Sequence, residues 1–257
     1  MCEILVTGAS GDIGRHVFAS LSAAGVPVRR LSGEDADLLD PVRLEPRLDG
    51  VETVFLVWPA LNAKGAAPVI ELIAGYARRV VLVSAYTHGF YTDIERLIEH
   101  AGPSWTFLRL GGLASGTLAM ADQVRNGVVR RPYGMARRSL IHEKDVAAVA
   151  THVLASAGHG GVRYALSGPE ALTQVEQVRI LGEAVGREVR WEDLAPEVAR
   201  PELLRTWGDE AYVDAELKAW GEFADSPEPV TNTVRVLTGR EPRTFREWAR
   251  DHADAFR

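Results

Sequence analysis

Ile4-Leu5-Val6-Thr7-Gly8-Ala9-Ser10-Gly11-Asp12-Ile13-Gly14-Arg15 is the stretch from which the fold of this 257-residue chain is read. A short apolar run ends in a loop with a glycine at every third position, and helix-like sequence follows. A diphosphate needs that order, because a strand then delivers an unhindered backbone to the N–H groups that open a helix. Gly8 allows the tight turn, Gly11 the close approach of a phosphate, and Gly14 the close packing of helix on strand. Thr7, Asp12 and Ile13 complete the loop, and Ser10 offers a hydroxyl to a phosphate oxygen. A glycine loop can also be a plain strand-to-helix turn, but here the flanks suit the first use.

Working outward, Gly25 ends the helix of residues 12–24 and Val26-Pro27-Val28 resumes an extended chain, completing a βαβ unit. Apolar runs at 53–58, 80–84 and 105–110 alternate with helix-like segments at 66–78 and 92–100. The alternation predicts an α/β fold: a Rossmann-like, doubly wound parallel sheet covered on both faces. Beyond Gly111 the pattern changes. Helices are expected at 143–155, 173–185, 196–207, 209–223 and 244–252, with extended segments at 162–166 and 188–191, and a Ser-Pro-Glu-Pro turn interrupts the tail at 226–229. Residues 1–110 therefore read as a dinucleotide-binding core, and 111–257 as a smaller α/β substrate-side region interleaved with it in one compact body.

An apolar content of 46% suffices for one sizeable core, and the net charge of −6 is spread without any block of Lys and Arg. Direct nucleic-acid binding is not expected. Residues 3–6 are too short for a signal-peptide core and no later run could span a bilayer, so a cytoplasmic protein without a membrane partner is expected. One cysteine excludes an intramolecular disulfide and a thiolate metal cage. The seven histidines are scattered with no His-Glu-x-x-His pair, so no metal is expected, and no Gly-x-Ser-x-Gly elbow marks a hydrolase. The oligomeric state is not legible.

The residues also carry a resemblance. Thr7-Gly-Ala-Ser-Gly-Asp-Ile-Gly14 resembles the TGA[ST]GxxG fingerprint of the NmrA-like family of atypical short-chain dehydrogenases. Ala36-Asp-Leu-Leu-Asp-Pro41 is similar to the family's element beside the adenine, and Val54-Phe-Leu-Val-Trp-Pro59 and Val81-Leu-Val-Ser-Ala85 to two of its strands. Ile94-Glu-Arg-Leu97, Trp105-Thr-Phe-Leu-Arg109, Leu140-Ile-His-Glu-Lys-Asp-Val-Ala147, the segment from Tyr164 to Thr173 and that from Leu237 to Phe245 extend the likeness over nearly the whole chain. The resemblance implies a bound NADP(H) or NAD(H), in members that are reductases of quinones and other carbonyls or redox-sensing regulators. One fold serves both, so fold cannot choose. The cofactor-binding set that follows is Thr7, Gly8, Ser10, Gly11, Asp12, Ile13, Gly14, Ser32, Gly33, Asp37, Leu38, Val57, Trp58, Pro59, Ser84, Ala85, Leu110, Gly111 and Gly112.

The end of the second strand chooses the nucleotide, since a basic side chain there neutralises a 2′-phosphate and a carboxylate accepts from a free 2′-hydroxyl. The family's arginine would fall near Gly33, and it is missing. Arg29 and Arg30 lie inside the strand and point to opposite faces, so at most one can bend towards the ribose. Glu34 and Asp35 are alternatives for ribose hydroxyls. The resemblance favours NADP(H), with NAD(H) left open.

Classical members of the superfamily use Tyr-x-x-x-Lys, in which the lysine lowers the phenol pKa and the tyrosine protonates the substrate oxygen. If Glu95 matches the glutamate that follows that dyad, its two positions hold Thr87 and Tyr91. The replacement candidates are Tyr86, His88 and Tyr91, in a loop leaving the carboxyl end of a strand, where open α/β sheets bind ligands. Of these residue types histidine alone titrates near neutrality in water. The plainer alternatives are a solvated loop histidine and tyrosines that pack. A quinone accepts hydride as a stabilised phenolate-like anion and can take its proton from water, so positioning alone can suffice.

The substrate wall is expected from residues 110–120 and 128–135 and near Trp191 or Trp207. Trp58, Met120, Tyr133 and Met135 would suit a flat apolar substrate such as an aromatic polyketide-like ring. Arg130, Arg131, Arg137 and Arg138 read as solvated surface, or as ligands for a carboxylate or phenolate. Three functions compete: an NAD(P)H-dependent reductase of a quinone or conjugated aromatic carbonyl, a non-catalytic dinucleotide sensor, and a cofactor-containing fold turned to dehydration or rearrangement.

Overall fold

A computed structural model of the chain describes residues 3–31 and 38–257. In chain order its elements are β1 (Glu3–Thr7), α1 (Gly14–Ala23), β2 (Val28–Leu31), α2 (Pro41–Leu48), β3 (Val51–Val57), α3 (Ala66–Tyr76), β4 (Arg79–Ala85), α4 (Gly89–Ala101) and β5 (Ser104–Leu110). There follow α5 (Ala121–Arg125), β6 (Val128–Arg131), β7 (Arg137–Arg138), α6 (Glu143–Ala155), β8 (Val162–Leu166), β9 (Leu172–Thr173), α7 (Gln174–Val185) and β10 (Arg190–Asp193). The last are α8 (Pro196–Trp207), α9 (Glu210–Asp225), α10 (Thr233–Thr238) and α11 (Phe245–Asp251).

Two units divide the chain. The first holds the residues up to Leu110 with Glu143–Leu166 and Val236–Gly239. It is built on a six-stranded sheet in the order β2-β1-β3-β4-β5-β8, parallel throughout. Leu5, Val54, Leu56, Val80, Leu82 and Phe107 from its central strands are buried, as parallel strands with helices on both faces must be. Helix α1 packs with α6, while α3 packs with both α2 and α4. Because β1 lies between β2 and β3, strand order reverses there, and the β1/β3 junction is the switch point at which open α/β sheets hold ligands. The fold is Rossmann-like.

The second unit comprises Gly111–His142, Ser167–Arg235 and Arg240–Arg257. It has two small sheets, β6 parallel to β10 and β7 antiparallel to β9. Phe245, Trp248 and Phe256 fill one of its cores with Val129, Val178 and Leu181, and a second core joins α8 and α9 through Leu203, Val213, Leu217 and Trp220. Helices α7 and α11 each open with a capping box, Thr173 with Glu176 and Thr244 with Glu247.

The stretch 111–257 is thus not of one kind. Residues 143–166 carry α6 and the sixth sheet strand, because β8 offers a strand-length run able to pair with the open edge of β5. Helix α2 goes unforetold because Pro46 interrupts its pattern. Asp40 nonetheless caps it and Pro41 opens it.

Candidate functional site

The glycine loop joins β1 to α1 at the switch point. Gly8 has φ +59°, and a Cβ there would stand 3.2 Å from Val57 Cβ. Gly14 has no room at all: its Cβ would come 2.2 Å from the Gly8 oxygen and 3.0 Å from Ala9 Cα. Helix α1 therefore starts directly on the strand end. Gly11 is exposed, and its N–H donates back to the Gly8 carbonyl at 2.9 Å. Ser10 is exposed and Asp12 half-buried, the latter with its carboxylate 3.8 Å from Arg15. Ile13 is the N-cap residue of α1 and supplies no side-chain cap. Among the described residues the N–H groups of Asp12 and Ile13 donate to no protein acceptor. A backbone cradle narrowed by two glycines, with unengaged donors at a helix start, fits a dinucleotide diphosphate.

Neighbouring strand ends form the rest of the rim. The buried Thr7 hydroxyl donates to the Val57 carbonyl at 3.2 Å and accepts from the Val57 N–H at 2.8 Å. It clips β1 to β3. Trp58 is likewise locked, buried and donating its indole N–H to the Asn62 carbonyl at 2.7 Å, whereas Pro59 is exposed. Ser84 is turned inward. Its hydroxyl donates to Glu95 Oε1 at 2.6 Å, and Arg109 Nε reaches the same oxygen at 2.9 Å while its Nη2 donates to Oε2. Arg163 adds a weaker contact at 3.5 Å and lies over the Trp105 ring. Burial alone would raise the Glu95 pKa, but Arg109, Ser84 and Arg163 together hold it below the usual carboxylate range. This network fastens α4 to the ends of β4 and β5, where Ser84 and Arg109 are register partners. Sequence reading missed it, although Arg109, a charge inside the apolar run 105–110, was the available signal.

Past Ala85, the Tyr86 N–H donates to the Leu110 carbonyl at 3.4 Å, so the two strand ends stay joined. Tyr86 is 40% exposed. His88 is not the solvated loop residue of the plainer alternative: it is buried and stands at the N-cap of α4. Tyr91 is half-buried and stacks on Phe90 at 4.3 Å between centroids, and burial pushes its phenol pKa up to about 12. A dyad lysine pushes a tyrosine the other way. Gly111 and Gly112 belong to the second unit, where Gly111 is buried and a Cβ on Gly112 would meet Leu140 at 2.6 Å.

Ser32, Gly33, Glu34, Asp35 and Asp37 lie outside the described residues, while Leu38 is buried in the sheet core. Arg29 is committed to Glu3 at 2.5 Å and to the carbonyls of Arg47 and Asp49. Arg30 is exposed and, among the described residues, has no partner. If it serves a 2′-phosphate, Arg30→Glu lowers the preference for NADPH over NADH about tenfold, one exposed charge-assisted contact. Paired nucleotide titrations of the two proteins check this.

In the second unit Met120 is a core residue, Tyr133 packs beside α8 and α9, and Met135 is 58% exposed. The four arginines divide. Arg130 is exposed and pairs with Glu192 at 2.7 Å, and Arg137 is exposed. Arg138 is buried against Glu228, from the Ser-Pro-Glu-Pro turn, and Glu216. Arg131 is buried too. Solvated surface thus fails for two of them. Among the described residues no helix is long and apolar enough to cross a membrane, and no three His, Cys, Asp or Glu cluster as a metal site.

No family model matches the chain. The (4-alkanoyl-5-oxo-2,5-dihydrofuran-3-yl)methyl phosphate reductase of Streptomyces griseus is 36% identical to it over 98% of this chain and 99% of that protein. The NAD(P)H azoreductase of Xenophilus azovorans is 30% identical over 98% of this chain and 99% of its own. Among solved structures, the NADPH-dependent quinone oxidoreductase of Escherichia coli superposes with a TM-score of 0.75 at 23% identity, covering 96% of this chain and 98% of that one.

Proposed function

Because the chain belongs to the NAD(P)H-dependent oxidoreductases of the NmrA-like, atypical short-chain dehydrogenase family, we propose that it reduces a quinone or a conjugated aromatic carbonyl, with NADP(H) favoured over NAD(H). The observation that carries the reading is the cradle from Gly8 to Gly14, whose free N–H groups suit a diphosphate. An acyl-dihydrofuranone and an azo compound, the acceptors in the two relatives' names, are both conjugated and electron-poor. That is the acceptor class proposed for this chain, acting as a cytoplasmic enzyme on a small molecule.

When bound, the reduced nicotinamide supplies the hydride. The N–H groups of Asp12 and Ile13, with Gly11 and Ser10, hold the diphosphate, and Ala85 and Leu110 border the site at the ends of β4 and β5. In this reading Tyr86, His88 and Tyr91 hold the acceptor. Tyr91 stays a neutral phenol throughout the working pH range, so it donates a hydrogen bond without ionising. The acceptor's anion is resonance-stabilised, and its proton comes from solvent.

A general acid contributes about a hundredfold or more. Tyr86→Phe, His88→Ala and Tyr91→Phe are therefore each expected to keep quinone turnover within about tenfold of wild type under saturating NADPH. A loss of a hundredfold in any one, with nucleotide affinity kept, would restore a side-chain proton donor. Tight nucleotide binding with no turnover on a quinone panel would favour the sensor.

A further inference from the structure

Arg131 closes β6 with its side chain buried, 8% exposed, on the same face as the buried Val129. Among the described residues its guanidinium makes one hydrogen bond, Nη2 to the Ala119 carbonyl at 3.3 Å, and no ion pair. Arg138 shows what the same unit does with a structural arginine. It is 7% exposed, pairs with Glu228 at 3.2 Å and Glu216 at 3.5 Å, donates to the Gly111 carbonyl and lies over the Phe223 ring. Arg131 has nothing comparable. The negative groups that act on it, Glu202 and Glu216, do so from beyond ion-pair range, and each already has another partner: Glu202 accepts from Gln123 and Glu216 faces Arg138. A desolvated cation with most of its five donors idle is costly, and a fold keeps one where a ligand supplies the missing charge.

Two further donors lie in the α8–α9 core, which the chain enters just after Arg131. Trp220, one turn after Glu216 on α9, has a buried indole N–H without an acceptor. Tyr133, two residues after Arg131, packs in the same α8–α9 core, with its ring against Gly221, and its hydroxyl makes no hydrogen bond among the described residues. Its backbone is the one non-glycine positive φ among them, +60°. The loop enforces that strain: Gly134 N–H donates to Asp193 Oδ1 at 2.9 Å, Gln174 Nε2 to the carbonyls of Pro132 and Tyr133 at 3.2 and 3.0 Å, and Ala136 N–H to Tyr133 O at 2.8 Å. Strain held this firmly next to an idle buried cation points to recognition rather than packing.

We propose that Arg131, with Tyr133 and Trp220, forms an oxyanion-recognition site of the second unit, which takes a phosphate-ester or carboxylate group.

The test uses the full chain saturated with NADP⁺, so that the glycine loop is occupied, and titrates it calorimetrically with inorganic phosphate and with benzoate. Arg131→Met lowers the affinity for both probes by about ten- to a hundredfold, the worth of a charge-assisted contact. Removing an unpaired buried charge also raises the melting temperature of the probe-free protein. Arg131→Lys, which keeps the charge but not the fork, falls between them and serves if the methionine variant does not fold. Equal probe affinity in wild type and Arg131→Met overturns the site, as does a lowered melting temperature with affinity unchanged.

Discussion

Gly14→Val is expected to abolish NADPH binding while leaving a folded protein. The added Cβ would meet the Gly8 oxygen at 2.2 Å and carbon at 2.7 Å, all backbone, so no side chain can swing aside. Helix α1 must lift from the end of β1, carrying the N–H groups of Asp12 and Ile13 with it. Overpacking of this kind costs about 1–3 kcal/mol of stability, which a domain of this size tolerates. The loss of aligned donors should weaken NADPH by on the order of a hundredfold or more. Gly75→Ala is the control. It lies in α3 with nothing within 4 Å of its Cβ position, and should leave affinity alone while stabilising the helix by about 0.5–1 kcal/mol. Nucleotide titration and thermal melting of the two variants separate the outcomes, and equal affinity in Gly14→Val would remove the glycine loop from the binding site.

Arg109→Ala carries the largest expected stability effect. It leaves the Glu95 carboxylate, 2% exposed, with only Ser84 and the longer contact to Arg163. Breaking a buried pair on one side costs about 3 kcal/mol or more, or roughly 6–12 °C in melting temperature for a chain of this length. The damage reaches the site, since Glu95 fastens α4 and hence the segment from Tyr86 to Tyr91. The pH dependence follows from the sign of the Glu95 shift. A carboxyl with a depressed folded pKa contributes stability above its unfolded value, about 4.3, and loses it as pH falls through the lower folded value. Wild type should therefore lose stability below about pH 4 more steeply than Glu95→Gln, which is weaker at neutrality but flatter in acid. Denaturant midpoints across that range check it, and parallel curves would mean that Glu95 is not the group responsible.

The sequence carried the fold further than the site. Glycines at 8, 11 and 14 between an apolar run and a helix, and apolar runs of strand length thereafter, have few physical solutions, and α6, α8 and β8 fall at the very residues the pattern marks. Side-chain destinations are another matter. The resemblance puts Thr7 and Ser84 in the cofactor set, but it does not foretell that each hydroxyl finds a partner on a neighbouring element, Val57 and Glu95. The plainer alternative for His88 is a solvated loop residue, but it is buried, at the N-cap position of α4. Arg131 and Arg138 look alike in a run of four arginines, and only tertiary packing gives one of them two carboxylates and the other none. Periodicity reports which face of an element is buried. It does not report which distant group a polar atom will meet.

The N–H groups where α1 begins would hold the dinucleotide, whose reduced nicotinamide would supply hydride to a conjugated acceptor. Stopped-flow mixing of the purified chain, preloaded with NADPH, against a quinone follows the reduced-nicotinamide absorbance through a single turnover. Saturable NADPH binding and a decay matched to quinone consumed are expected, both lost in Gly14→Val. An unchanged absorbance with every quinone tried, or a decay that survives Gly14→Val, would contradict this.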